Sequence, residues 1–121
     1  MSSFVITKRF NNFYKFEFTS RRGKTIFTSL GYELKFECEN AILVFKSEIS
    51  NCNFEPLKVS GTKHCFKIIF NNTVMATSRK YSTELRAIKG IEEIKKYCKT
   101  AEILDFSNQN LIFDSSNDFS N

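Results

Sequence analysis

The sequence is short of the residues that site chemistry most often needs, with one histidine, four glycines, one proline and no tryptophan. Nucleophilic catalysis of the Ser-His-Asp or Cys-His kind requires an imidazole beside the nucleophile, and His64 is the only one present. Its neighbour Cys65 does not serve, because adjacent residues of an extended strand point to opposite faces. His64 therefore reads as an ordinary strand-end residue. With Gly23, Gly31, Gly61 and Gly90 alone, the chain has neither a GxGxxG nor a P-loop, and no glycine-rich phosphate cradle can be assembled. The four cysteines, Cys38, Cys52, Cys65 and Cys98, form no CxxC pair, so neither a zinc site nor a disulfide framework is expected, and they read as small buried hydrophobes. Glu37 and Glu39, and Glu92 and Glu93, read as solvated helix faces. The expectation is a chain without catalytic residues, cofactor, metal or small-molecule substrate.

Long hydrophobic runs are missing too. The longest, Ala41 to Phe45, is far below the roughly 20 residues of a membrane helix. The start, Met1 to Arg9, lacks the basic, apolar and small-residue segments of a secretory signal. The expected location is the cytoplasm, with no membrane partner.

What the sequence does have is phenylalanine, 14 of them, in a chain 41% hydrophobic, enough for one domain with a real core. Its charge is unevenly placed. Residues 1–100 hold all 18 Lys and Arg against nine acids, a net +9, whereas residues 101–121 hold four acids and no base. A basic body suits nucleic acid, an acidic partner, or simply solubility.

Periodicity sets out the elements. Phe4 to Phe10 is β-branched and aromatic, Asn11-Asn12 a turn, and Phe13 to Thr19 alternates with Tyr14, Phe16 and Phe18 on one side. Ser20 to Lys24 is a hairpin leading to a strand from Thr25 to Leu30. Leu34, Cys38, Ala41, Ile42, Phe45 and Ile49 then recur at spacings of three and four, the buried stripe of a helix over Leu34 to Glu48. Asn53 to Val59 is a strand that Pro56 confines to an edge or distorts. The order recurs: His64 to Phe70, a tight turn at Asn71-Asn72, Thr73 to Ser78, a helix capped by Ser82 or Thr83 with Ala87, Ile91, Ile94 and Cys98 as its stripe, and a last strand from Ala101 to Phe106. Phe4, Lys8 and Phe16 match Phe54, Lys58 and Phe66 at an offset of 50. Thr28, Ser29, Tyr32, Ile42 and Lys46 match Thr77, Ser78, Tyr81, Ile91 and Lys95 at an offset of 49.

Phe4-Val5-Ile6-Thr7-Lys8, Phe13-Tyr14-Lys15-Phe16, Gly23-Lys24-Thr25-Ile26, Asn40-Ala41-Ile42, and the stretch from Ala76-Thr77-Ser78 through Tyr81-Ser82 to Lys89-Gly90-Ile91-Glu92-Glu93-Ile94-Lys95 resemble the YegP-like family of uncharacterised tandem-repeat proteins. The resemblance implies an α+β fold: two βββα(β) repeats, about 4–52 and 53–106, sharing one continuous antiparallel sheet, with two helices on one face and closing strands exchanged between repeats. Asn53 to Val59 would then belong to both repeats. Residues 107–121 form a polar, acidic tail in which Leu111-Ile112-Phe113 can add an edge strand or dock on the body.

Two functions remain, both non-catalytic. One is binding a protein partner or a second copy through an open face or a free strand edge. The other is binding single-stranded nucleic acid on a basic, aromatic-bearing sheet face. The candidate contacts are Phe13, Lys15, Arg21, Arg22, Lys24, Phe27, Arg79 and Lys80.

Overall fold

The structure is a computed structural model that describes residues 1–108. Its elements are β1 (Ser3–Lys8), β2 (Tyr14–Thr19), β3 (Thr25–Ser29), α1 (Lys35–Ser47), β4 (Asn53–Lys58), β5 (His64–Phe70), β6 (Thr73–Ser78), α2 (Glu84–Tyr97) and β7 (Glu102–Asp105). Single 3-10 turns, Ile49–Asn51 and Cys98–Thr100, follow the helices. The seven strands form one sheet in the order β4-β5-β6-β3-β2-β1-β7.

Local chemistry explains most boundaries. Asn71 and Asn72 both take positive φ, 52° and 61°, as the two central residues of a tight hairpin do, and Gly23 supplies φ 84° at the tip of the β2–β3 hairpin. Thr83 caps α2, its Oγ1 accepting the Arg86 amide at 3.1 Å. α1 has no such hydroxyl, and the Glu37 carboxylate instead accepts the Leu34 amide at 3.2 Å. β1 ends earlier than the sequence suggests, because the Arg9 amide bonds the Phe13 carbonyl and Asn12 turns at φ 68°, leaving Phe10 in solvent. Leu34, expected in the buried stripe of α1, is its exposed cap.

The sheet is mixed rather than wholly antiparallel. β7 lies parallel to β1, Ser3 opposite Glu102 and Ile6 opposite Asp105. Two lysines of α1 hold it there: Lys35 forms an ion pair with Asp105, and Lys46 donates to the Ala101 carbonyl at 2.8 Å. β4, the strand that follows α1, crosses to the other half of the sheet and pairs with β5, as β7, the strand that follows α2, crosses to β1. At the centre of the sheet β3 and β6 pair antiparallel, with Phe27 opposite Ser78, Thr28 opposite Thr77 and Ser29 opposite Ala76.

Both helices cover one face. Phe4 and Phe27 from the sheet meet Phe45 of α1 at ring-centroid distances of 6.0 and 5.5 Å, and Phe16 and Phe18 each pack against both Phe4 and Phe27 at 5.0 to 6.1 Å. Over β5, Phe66 stacks on Tyr81, and Ile68, Ala76, Ala87, Ile91 and Ile94 complete the same continuous core. All four cysteines are free and buried, and burial pushes the Cys38 thiol up to about 12 and the Cys98 thiol to about 11.

Gly90 is where α2 takes the edge of the Tyr81 ring. A Cβ there would lie 2.5 Å from Tyr81 Oη and 3.1 Å from its Cζ. Alanine is the better helix former by about 1 kcal/mol, yet overpacking costs about 1–3 kcal/mol, and the clash should prevail. Gly90→Ala is expected to lower the denaturation midpoint, and adding Tyr81→Phe should recover much of the loss. A rise in midpoint for Gly90→Ala alone would contradict this packing.

Candidate interaction surfaces

The residues singled out from the sequence do not form one surface. Phe27 is wholly buried, stacked on Phe18 at 5.7 Å, and this corrects its placement on the open face. The reason is a register shift in the β2–β3 pairing between Phe18 and Thr19, which lets both Ile26 and Phe27 be buried although they are adjacent. Phe13 is half-buried, its ring against Gly31. Lys15 is half-buried on the face away from the helices, where Arg9 pairs with Glu17 at 2.8 Å and Thr25 donates to Glu17 at 2.9 Å. That face therefore lacks the stacking platform expected of it.

Arg21, Arg22 and Lys24 are exposed at the β2–β3 hairpin, and Arg79 and Lys80 are exposed after β6. The Arg79 amide bonds the Ile26 carbonyl at 2.9 Å, and its guanidinium lies over Tyr81 at 5.3 Å. Arg21 reaches the last turn of α2. Arg21 donates to the Tyr97 hydroxyl at 3.2 Å and lies over that ring at 5.6 Å, while Lys96 lies over it at 5.3 Å. The hydrogen bond from Arg21, then that from Lys96, holds the Tyr97 phenol below its ordinary range. Between hairpin and helix runs an open groove of about 950 Å³, to which Arg86, Lys89 and Lys96 of α2 also contribute, with Glu92 and Glu93. Sequence reading missed these helix cations because Arg21 and Tyr97 are 76 positions apart.

The two helices present unlike outer faces. At positions related by the 49-residue offset, α1 carries Phe36, Asn40, Leu43, Val44 and Ser47 where α2 carries Leu85, Lys89, Glu92, Glu93 and Lys96. Phe36 is 71% exposed and Leu43 57%. Glu33, Glu37 and Glu39 are exposed around them. Both lysines of α1 are occupied at β7, as described above, so the stripe has an acidic border.

A cleft of about 340 Å³ is lined by His64, Cys65 and Glu84 among others. His64 is the first residue of β5, its amide and carbonyl both bonded to Tyr81, at 2.8 and 2.6 Å. Among the described residues no three His, Cys, Asp or Glu side chains are grouped to hold a metal ion, and no helix is long and apolar enough to cross a membrane. The Leu111-Ile112-Phe113 segment lies outside the described residues.

The edge strand β4 is ill suited to strand addition. The Val59 amide bonds the Lys63 carbonyl at 2.8 Å, which fixes the parity of the ladder: Leu57 and Glu55 bond inward to β5, and the nitrogen of Pro56 faces out. The missing N–H therefore falls in the middle of the open edge.

The fold defines a small α+β protein with one mixed seven-stranded sheet and two helices. A family described as a domain of unknown function (DUF1508) matches residues 60–105. A UPF0339 protein of Acinetobacter baylyi is 32% identical over 96 residues, covering 78% of this chain and 86% of its own length. The UPF0339 protein in the ptx operon 5' region of Stutzerimonas stutzeri is 28% identical over 97 residues, covering 78% and 87%. The chain belongs to the UPF0339 family, the YegP-like proteins. The solution structure of yegP from E. coli, a protein of unknown function, superimposes with a TM-score of 0.77 at 24% identity, covering 88% of this chain and 93% of that one. The UPF0339 protein SO3888 from Shewanella oneidensis gives 0.78 at 22%, covering 89% and 93%. These likenesses establish the shared fold.

Proposed function

We propose that the protein is a non-catalytic interaction module that docks another protein on α1. The observation that carries this reading is the contrast between the helices: where α2 carries Glu92 and Glu93, α1 leaves Leu43 and Val44 in solvent, and these extend the exposed Phe36, whose counterpart Leu85 stands apart from any such apolar pair. An exposed aromatic and leucine about two turns apart on one helix face are anchors of the kind that fill a partner's pocket. The acidic border of Glu33, Glu37 and Glu39 calls for a partner whose apolar pocket is rimmed by cations. A second copy fits less well, since α1 set against α1 brings carboxylates together with no unoccupied lysine on either helix.

Site-specific photocrosslinking tests this. A photoreactive residue at Asn40, between Phe36 and Leu43, is expected to give a discrete protein adduct that disappears in Phe36→Ser/Leu43→Ser and is absent when the probe sits at Lys89. The purified adduct partner should then bind the wild type and not the double variant. Equal adducts from Asn40 and Lys89 would overturn the reading, and so would an adduct consisting only of a second copy of this chain.

We also infer that the halves are copies of one strand-strand-strand-helix unit. The central β3–β6 ladder supports it, because Thr28 lies opposite Thr77, its own counterpart at the 49-residue offset. Matching contacts flank it. Tyr14 bridges Tyr32 as His64 bridges Tyr81, and Lys46 lies over Phe4 as Lys95 lies over Phe54.

A further inference from the structure

We propose that the groove between the β2–β3 hairpin and α2 binds the phosphodiester backbone of single-stranded nucleic acid without reading its bases. Five cations line this groove, Arg21 and Arg22 from the hairpin and Arg86, Lys89 and Lys96 from the helix, against two acids, Glu92 and Glu93. None of the five forms an ion pair with a carboxylate, the ion pairs among the described residues being Arg9–Glu17 and Lys35–Asp105. Their positive charge is left uncompensated toward solvent. This is a different surface from α1, and it stands whether or not α1 docks a protein.

The ligand class follows from length, shape and chemistry. From Arg86 to Lys96 the helix rises about 15 Å, more than one phosphate group can occupy, so a chain of anions fits better than a lone one. At about 3.4 Å per nucleotide along a stacked strand, that length takes roughly four phosphates. Three of the five cations are arginines, whose planar fork grips phosphate oxygens in pairs. The groove is an open concavity between a hairpin tip and one helix, and we assign it a single chain because its cations lie along one helix and one hairpin. Base stacking is not offered, because the one aromatic ring in the groove, Tyr97, is already covered by Arg21 and Lys96. The interaction is therefore electrostatic and indifferent to sequence.

The test is fluorescence anisotropy of the full chain with labelled 12-mers of thymidylate and of mixed sequence, over a series of salt concentrations. Three or so phosphate contacts should give a slope of log affinity against log salt of about −2, a weakening of about 20-fold between 50 and 200 mM. Removing Arg86 and Lys89 together (Arg86→Ala/Lys89→Ala) should flatten that slope by about 1.4. The control Lys58→Ala/Lys63→Ala, which removes the same charge from the β4–β5 turn, should leave the slope as it was. Glu92→Gln/Glu93→Gln should tighten binding, a gain that a poorly folded variant does not produce. The proposal is overturned by no binding at 50 mM salt, by equal losses in the groove and control variants, by weaker binding on removing the glutamates, or by complete competition from polyglutamate at the same charge concentration, which would assign the groove to acidic proteins.

Discussion

Phe27→Ala is expected to lower the free energy of unfolding by about 3–5 kcal/mol, the largest loss of any single substitution considered for this chain. Phe27 has no exposed surface, and its ring touches Phe16 at 6.1 Å, Phe18 at 5.7 Å and Phe45 at 5.5 Å. Truncation loses the transfer energy of a buried benzyl group and leaves a cavity walled by three other rings, which fixed strands and α1 cannot readily close. For a domain of this size each kcal/mol moves the melting temperature by about 4–8 °C, so the effect lies well outside experimental error. Urea titration of Phe27→Ala beside Phe10→Ala gives the contrast, because Phe10 is fully exposed and its loss should change stability by less than about 0.5 kcal/mol. Equal small effects at the two positions would return Phe27 to the open face.

Why the sequence placed Phe27 wrongly is a matter of parity. Alternation in β2 is strict, so the side taken by Phe16 and Phe18 could be read directly, and the structure buries both. In β3 the apolar residues Ile26 and Phe27 are neighbours, and no rule of alternation chooses between them. The shift in register, a property of the pairing rather than of either strand, buries both. The limits of β5 and β6 were legible because Asn71-Asn72 marks the turn between them with the residues that tolerate positive φ. The parallel seat of β7 had no local signal, since it depends on Lys35 and Lys46 of a helix more than fifty residues earlier. The same holds for the groove. Its hairpin cations were visible as a cluster, but their meeting with Arg86, Lys89 and Lys96 is a consequence of packing. The contrast between the outer faces of α1 and α2, by comparison, lies wholly in the sequence. It acquires meaning only once both helices are known to turn those positions to solvent.

Ser29→Ala and Ser78→Ala should each cost about 1–3 kcal/mol, far more than a serine hydroxyl on a surface is worth. β3 leaves β2 after Thr28, since the Leu30 amide turns to bond Met75 of β6 at 3.0 Å while Tyr14 pairs with Tyr32. The buried Phe16 amide is thereby left without a backbone acceptor, and Ser29 Oγ supplies one at 2.9 Å while donating its own proton to the Leu30 carbonyl at 2.8 Å. The second half solves the same problem in the same way. The Phe66 amide donates to Ser78 Oγ at 2.9 Å, and that hydroxyl donates to the Arg79 carbonyl at 2.7 Å. Alanine removes acceptor and donor together and strands a buried N–H, the costly side of hydrogen-bond accounting. Chemical denaturation of the two variants against Ser60→Ala, whose residue is exposed, measures the cost. Amide exchange locates it, with Phe16 expected to lose protection in Ser29→Ala and Phe66 in Ser78→Ala. Stability within about 0.5 kcal/mol of the wild type at both positions would mean that water or a shifted strand satisfies these amides as well as the serines do. The proposal that the halves are copies of one unit would then rest on the ladder at Thr28 and Thr77 without these two hydroxyls.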